Sequence, residues 1–481
     1  MSLFKLLVVN RTWCRMVIPI LWKYPLQRPS KRSRRLIIRT YISCLNQREK
    51  SLLISQGILT MEEATTPLFP YAKYLKSLSQ FDLWISIRWW LEQKETYKTS
   101  IIPKLITKFF INNEKYLTKS LQIENLFEHL WNMIMRCSFN LHSLEFTSAH
   151  ENLETSNLLT TIYNNPGLTY LKHLVIRISE ENLKLKELLK TIPLICKHLN
   201  HLSVSINELI EKGIIVDIIN SQTNLKTLKL WASNHILDGI MNDCLVQPKL
   251  SNTLTCINFN SNNFNEISSL KGLVNCVNLK NLMFNHCKGI ELQNFDDLST
   301  FKLQLFSLIL LDNSWSSEIT AMIIKTFCSD KLTFLSFDTF SSDIIKALIT
   351  TNSINITHLK ISKCFNQEMI LFDWISKLID LKELRIYIYD SYGITHDEIL
   401  IMLGKNLLLC NELNVLQLHF DFTLDDYLES IRNYVYRKND NLKLINLLYL
   451  SSIYVGWGHD EWKIVKEIEA KGVKVTNSKQ I

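Results

Sequence analysis

One short frame recurs along most of this chain: leucine, two free positions, leucine, one free position, leucine, and a closing asparagine. It reads clearly in LKTLKLWASN, Leu225–Asn234. Counting from the first residue of each copy, the frame starts at Leu141, Leu171, Leu199, Leu225, Leu254, Leu279, Leu305, Leu332, Ile356, Leu381, Leu413 and Leu442, with successive starts 24 to 32 residues apart. Alternation within the frame predicts a short strand with one buried face. The length left between frames fits one helix per copy, as in LKLKELLKTIPLICKHL and IEKGIIVDIINSQT. A unit of one strand and one helix cannot bury its own apolar edges, so copies have to stack. With 481 residues the chain is too long for one compact core, and a stacked array answers that length.

The closing position is Asn207, Asn234, Asn262, Cys287, Asn313 or Cys364 in six copies. There the chain turns inside the coil, and a small polar side chain can satisfy backbone groups left without a partner. Period and closing residue together resemble leucine-rich repeats. The fold class expected is α/β: a leucine-rich-repeat solenoid, a curved parallel sheet with convex helices, preceded by a small all-helical segment. DEWKIVKEIEAKGVKVTN reads as a closing helix, a stop at Gly472 and a last strand that seals the sheet.

Free positions of the frame point away from the helices. The first is lysine at Lys172, Lys226, Lys280, Lys382 and Lys443, interrupted by Phe306, Thr333 and Thr357. With Lys229, Phe334 and Arg385, these lysines and Phe306 form the expected substrate surface on the concave face. The lysines suit an acidic or phosphorylated partner, and the aromatic and Arg residues are anchors of the kind that dominate protein interfaces. Lysine also keeps strands soluble, and local packing accounts equally for the two phenylalanines.

The front of the chain differs. Residues 4–25, FKLLVVNRTWCRMVIPILWKYP, give a short apolar helix that Pro19 is expected to stop. LLVVNRTWCRMVIPILWKYP resembles the second half of an F-box as found in the fungal F-box/leucine-rich-repeat family, through Val9, Asn10, Arg11, Trp13, Cys14, Pro19, Leu21 and Trp22. That resemblance implies docking on a Skp-type adaptor and, through it, a cullin, with Leu6, Leu7, Val9, Trp13, Pro19, Leu21 and Trp22 as adaptor-binding residues. The family's first F-box helix is missing here, so the segment reads as truncated or as a decayed copy. The plain alternative is a cap that buries Trp13 and Trp22 on the solenoid's end.

Residues 1–50 hold 12 Lys and Arg against Glu49, leaving 42 basic and 45 acidic residues of the chain's 54 and 46. The high pI therefore says nothing about nucleic acid binding by the repeats. Lys31–Arg39 fits a nuclear-localisation patch, but Leu36, Ile37, Tyr41, Ile42 and Leu45 form an apolar stripe behind it, which favours one face of a helix. Residues 26–125 read as a helical connecting region, 1–25 as the F-box-like segment and 126–481 as the solenoid. Trp84, Trp89 and Trp90 read as part of a helix packed on the first repeats.

Eleven scattered cysteines without a CxxC pair fit a reducing compartment, and no apolar stretch is long enough to span a bilayer. The expectation is a soluble intracellular protein, cytoplasmic or nuclear. No phosphate loop, HExxH or GxSxG is present, so no catalytic residue, cofactor or metal is implied. Cys196, His198 and His201, like His286 beside Cys287, are read as filling the coil. The expected function is a non-catalytic substrate receptor of a Skp–cullin–F-box ubiquitin ligase, its target protein unidentified. The alternative is an interaction scaffold that has lost ligase docking. Neither a membrane, nor nucleic acid, nor a homo-oligomer is implied.

Overall fold

The computed structural model describes residues 3–7, 9–27, 29–99, 113–147, 166–178, 183–206, 211–232, 234–265, 267, 269–296, 298, 303–339, 341–364, 368–388, 410, 412–420, 432, 444–449 and 459–477. The chain forms two compact units, Met1–Ile236 and Leu237–Ile481.

The first unit opens with helices α1 (Leu3–Leu6), α2 (Arg11–Leu21), α3 (Lys31–Ser43) and α4 (Gln47–Ser55). Then come strand β1 (Ser77–Ser79), the long helices α5 (Gln80–Thr99) and α6 (Asn113–Cys137), and strands β2 (Ser143–Thr147) and β3 (His173–Ile178). Helix α7 (Leu183–Ile195), β4 (His201–Ile206), α8 (Lys212–Asn220) and β5 (Thr227–Trp231) complete it. Each strand pairs in parallel with the next, from β1 to β5.

The second unit repeats the plan with β6 (Cys256–Asn260), β7 (Asn281–Asn285), β8 (Ser307–Leu311), β9 (Phe334–Thr339), β10 (His358–Cys364), β11 (Glu383–Ile388), β12 (Val415–Phe420), β13 (Leu444–Tyr449) and β14 (Lys474–Asn477). These too are paired in parallel in sequence order. Helices α9 (Ser317–Phe327), α10 (Ser342–Thr350) and α11 (Glu368–Ile375) connect strands here, and α12 (His459–Ala470) precedes the last one. Both units are leucine-rich-repeat solenoids.

Strand registers follow the frame. The fourth-position residues Leu144, Leu174, Leu202 and Leu228 stand opposite one another, as do Ile257, Leu282, Leu308 and Leu335. First-position residues from Leu141 to Leu413 are all buried, and Leu442 lies outside the described residues. At the closing position Asn313 accepts from the Cys287 N–H at 2.8 Å and donates to the Phe284 carbonyl at 2.9 Å. The Cys287 thiol donates to the Phe259 carbonyl at 3.5 Å. Ser261, His286 and Asp312, the residues just before Asn262, Cys287 and Asn313, adopt φ of 52°, 53° and 52°. That left-handed step aims the next side chain into the coil. Asn207 and the side chains of Asn234 and Cys364 lie outside the described residues. Asn234 also stands one residue beyond the phase of Asn262, and it begins a helix.

A second polar ladder, three residues ahead of the first leucine, escaped the sequence reading. Ser138 Oγ donates to the Ala72 carbonyl at 2.7 Å, Cys196 Sγ to Leu168 at 3.5 Å, Gln222 Nε2 to Cys196 at 2.7 Å and Ser353 Oγ to Ser329 at 3.3 Å. Each donor reaches the same position of the preceding repeat, so backbone carbonyls inside the coil are satisfied from copy to copy.

Several expectations are corrected. The region read as helical also contains β1, a degenerate repeat running from Leu75 through Leu78 to Gln80; Gln80 is buried and accepts from the Thr147 N–H at 3.0 Å. Pro19 does not stop α2, which runs on to Leu21. A proline near a helix end removes a single hydrogen bond, and the carbonyl it frees belongs to exposed Arg15. Leu36 is exposed, leaving Ile38, Tyr41, Ile42 and Leu45 as the buried apolar residues of that stretch. His286 is exposed on its left-handed turn rather than filling the coil, and His198 is exposed as well. Gly472, at φ 81°, stops α12 ahead of β14.

Candidate functional site

Two surfaces gather the residues singled out from the sequence. The first is α2. Asn10 caps it by accepting from the Trp13 N–H at 2.8 Å. Its inner face buries Val17 and Ile18, and the following residue, Trp22, packs against Tyr41 and Tyr71, with ring centroids 5.5 and 4.5 Å away. The Lys23 carbonyl accepts from Lys76 N–H at 2.9 Å, which ties the segment to the edge of β1. Facing outward are Trp13, Met16 and Ile20 at helical spacing, continued by Val9, with 41%, 53%, 47% and 54% of their surfaces exposed.

Of the adaptor residues named above, Val9 and Trp13 lie on this stripe, while Leu6, Leu7, Pro19 and Leu21 are half-buried and Trp22 serves internal packing. Met16 and Ile20 were missed. The period of 3.6 from Trp13 could have identified them, but which side of α2 faces inward depends on Tyr41 and Tyr71, far along the chain.

The basic run is partly used up inside the fold. Arg34 pairs with Asp82 at 2.7 Å and lies 5.5 Å from the Trp89 ring centroid. Lys31 stands 5.4 Å from the same ring and 3.7 Å from Glu92. Among the three tryptophans of α5, Trp90 is buried, with Lys94 Nζ 5.1 Å from its ring. Lys50 is buried, and its ammonium donates to the Ser43 and Thr65 carbonyls at 2.8 Å each; desolvation lowers its pKa.

The second surface is the outward strand face, taken unit by unit. In the first unit Lys226 and Lys229 are exposed and Lys172 is half-buried. The rings of His173 and His201 stack at 4.3 Å, 6° from parallel. Both imidazoles are held below their ordinary range. Burial acts first on each, then His201 and His142 on His173, and Lys229 and Lys226 on His201. Arg177 pairs with Glu145 at 3.4 Å.

In the second unit the charged and aromatic residues mostly serve one another. Lys280 Nζ lies 5.7 Å from the ring of exposed Phe306, and Phe334 stacks on His358 at 6.1 Å. Arg385 pairs with Glu383, and Lys360 covers Tyr387 at 5.5 Å. Lys382 is exposed, and Lys443 lies outside the described residues. Exposed lysines of the expected surface therefore fall on both units, Lys226 and Lys229 on the first and Lys280 and Lys382 on the second.

A cleft of about 670 Å³ lies beside the left-handed turns of the second unit, between Asn265, Lys288, Glu291, Trp315 and Glu318. Gly289, at φ 81°, makes room for Asn265, whose Oδ1 would lie 2.0 Å from an added Cβ. Ser316 on its wall caps α9, accepting from the Ile319 N–H at 3.3 Å. Among the described residues no group of three His, Cys, Asp or Glu side chains is placed to hold a metal ion, and no helix is long and apolar enough to cross a membrane.

No family model matches the chain, and no curated protein matches it. Solved structures do. The complex of TLR13 with ssRNA13 aligns at 16% identity and TM-score 0.37 over 66% of this chain, which spans only 41% of that one. Internalin InlF of Listeria monocytogenes aligns at 16% identity and TM-score 0.35, over 66% of this chain and 82% of that one. The yeast Rad7–Elc1 complex aligns at 15% identity and TM-score 0.36, over 82% and 96%.

Proposed function

We propose that this protein is a non-catalytic substrate receptor that docks on a Skp-type adaptor of a cullin ubiquitin ligase through α2 and presents its strand face to the protein to be modified. The observation that carries the reading is the outward stripe of Val9, Trp13, Met16 and Ile20, a continuous apolar face in the segment that resembles an F-box. Such a stripe is costly to leave in water and is the kind of surface a partner covers. Its base is fixed, because Trp22 is wedged against Tyr41 and Tyr71 and Lys23 is bonded to Lys76. A partner seated on α2 would therefore keep a defined position relative to the strands of the first unit. In this reading the ubiquitin-transfer chemistry belongs to the partners, and the compartment is cytoplasmic or nuclear.

The second reading is an interaction scaffold without ligase docking. In its favour, Trp22, one of the F-box-like positions, serves the protein's own packing.

Co-purification with a Skp-type adaptor decides between them. Capture by the wild-type chain that is lost in Trp13→Ser/Met16→Ser/Ile20→Ser supports docking. Absence of capture at micromolar protein, or capture that survives the triple substitution, removes it.

A further inference from the structure

Among the described residues, the outward positions of β2–β5 and the residues just ahead of them carry Lys172, Arg177, Lys226 and Lys229 against a single carboxylate. Glu145, the one carboxylate among the outward positions of β2–β5, is already engaged by Arg177. Lys172 directly precedes β3, Lys226 directly precedes β5, and Lys229 lies on β5.

The relief of this face is as informative as its charge. The outward residues of β4 are short: Ser203 lies in register between Val175 and Lys229, and the next outward residue, Ser205, between Arg177 and Trp231. Two strand spacings separate those walls, roughly 10 Å, and outward positions repeat about every 6.6 Å along β4. The stacked His173 and His201 rings close one end of the trough. An extended peptide shares that repeat, so a chain lying over β4 sets alternate side chains beside Lys229 and then Arg177.

The geometry points to an acidic peptide segment, extended over β4 with carboxylates at alternate positions, as the ligand of this face. It rests on the reading above only in taking the peptide to belong to the protein being selected. A single-stranded nucleic acid fits less well, since stacking needs a row of aromatic rings and Trp231 is the one indole on the outward positions of β2–β5.

The histidine pair gives the site a signature. In the free protein burial, then His201 and His142, favour the neutral form of His173, and burial, then Lys229 and Lys226, that of His201; Lys172, Arg177 and Glu145 are the other charged groups on this face among the described residues. A carboxylate seated beside them reverses that preference, so binding takes up protons and tightens as the pH falls.

The test uses the full 481-residue chain and a fluorescein-labelled decapeptide of alternating Glu and Ser, followed by anisotropy. At about 50 mM salt, where surface charges are weakly screened, saturable binding is expected. Arg177→Glu/Lys229→Glu should weaken it by about tenfold or more, and Lys325→Glu, on the exposed side of helix α9, should not change it. Ser203→Phe, which fills the trough without altering charge, should abolish it in a chain whose circular dichroism matches wild type. Affinity should rise between about pH 7.5 and pH 6 and stay flat in His173→Gln/His201→Gln.

Absence of binding, insensitivity to the charge reversal and to Ser203→Phe, a pH response that survives loss of both histidines, or equal binding of an alternating Lys–Ser peptide or an oligouridylate overturns the inference. Adaptor co-purification is run separately. Failure there with peptide binding intact sinks only the ligase reading, and the reverse result sinks only the trough.

Discussion

Gln222→Leu tests whether the polar ladder ahead of each first leucine holds the repeats together. Gln222 is almost wholly buried between consecutive copies. Its Oε1 accepts from the Leu199 N–H at 3.0 Å, and its Nε2 donates to the carbonyls of Cys196 at 2.7 Å and Ile218 at 2.8 Å. Leucine has nearly the same volume and leaves no large cavity, so the effect isolates the polar contacts. The Ile218 carbonyl keeps a bond from Ser221 Oγ at 2.8 Å, which leaves the Leu199 N–H and the Cys196 carbonyl as orphans.

Two buried orphans cost about 2–6 kcal/mol together. Burial of the leucine side chain returns about 1–2 kcal/mol. Taking the middle of each range, about 4 against about 1.5 kcal/mol, the net loss is about 2–3 kcal/mol, a large fraction of the roughly 5–15 kcal/mol that holds a typical domain. Urea unfolding followed by circular dichroism measures it, and amide exchange at Leu199 shows whether the loss is local, as nearest-neighbour coupling of repeats requires. Thr223→Ala is the control, removing exposed bonds to the Lys197 carbonyl at 2.9 Å and with His198 Nδ1 at 3.0 Å at a cost below about 1 kcal/mol. A Gln222→Leu chain within about 0.5 kcal/mol of wild type, with Leu199 equally protected, would refute the reasoning.

Three further outcomes are expected. Trp22→Ala should lose about 2–4 kcal/mol in a thermal melt, because its ring packs on Tyr41 and Tyr71, whereas Trp13→Ala, on the outward face, should lose less than about 1 kcal/mol. His173 and His201 have folded pKa values below 6.5, so the unfolded chain binds more protons between those values and 6.5. Their contribution to stability is therefore present above about 6.5 and lost as the pH falls through the folded values, and melting temperature against pH should be flatter in His173→Gln/His201→Gln. Burial pushes the Cys196, Cys276 and Cys287 thiols up to about 12, so peptide mapping after iodoacetamide treatment should find them unmodified until the chain unfolds, with half-buried Cys14 and Cys256 modified first.

The repeats were legible because their information is local. A leucine at the first, fourth and sixth positions fixes which strand residues turn inward, and the register from Leu144 to Leu228 follows without knowledge of any distant contact. The ladder through Ser138, Cys196, Gln222 and Ser353 was equally periodic, but it is written in four different residue types that share a hydrogen bond rather than a name. β1 stayed hidden for a similar reason, since Gln80 occupies a position where the other copies carry an apolar side chain.

The sequence by itself determined the parallel strand order within each unit, the inward leucines, the Asn262, Cys287 and Asn313 that close their turns, and the outward Lys226, Lys229, Lys280 and Lys382, because stacking in register converts a local pattern directly into an arrangement in space. Only the tertiary structure decided which side of α2 is free. Val17, Ile18, Met16 and Ile20 are alike in hydrophobicity, and the choice among them is made by Tyr41 and Tyr71, which claim Trp22 and turn Met16 and Ile20 outward. The same holds for charge. Arg34 and Lys229 look equally available in the sequence, yet Asp82 and Trp89 engage the first, while the second stands exposed on the wall of a trough whose floor is two serines. Contacts between residues tens of positions apart carry no periodic trace, and they settle which of two similar side chains meets water.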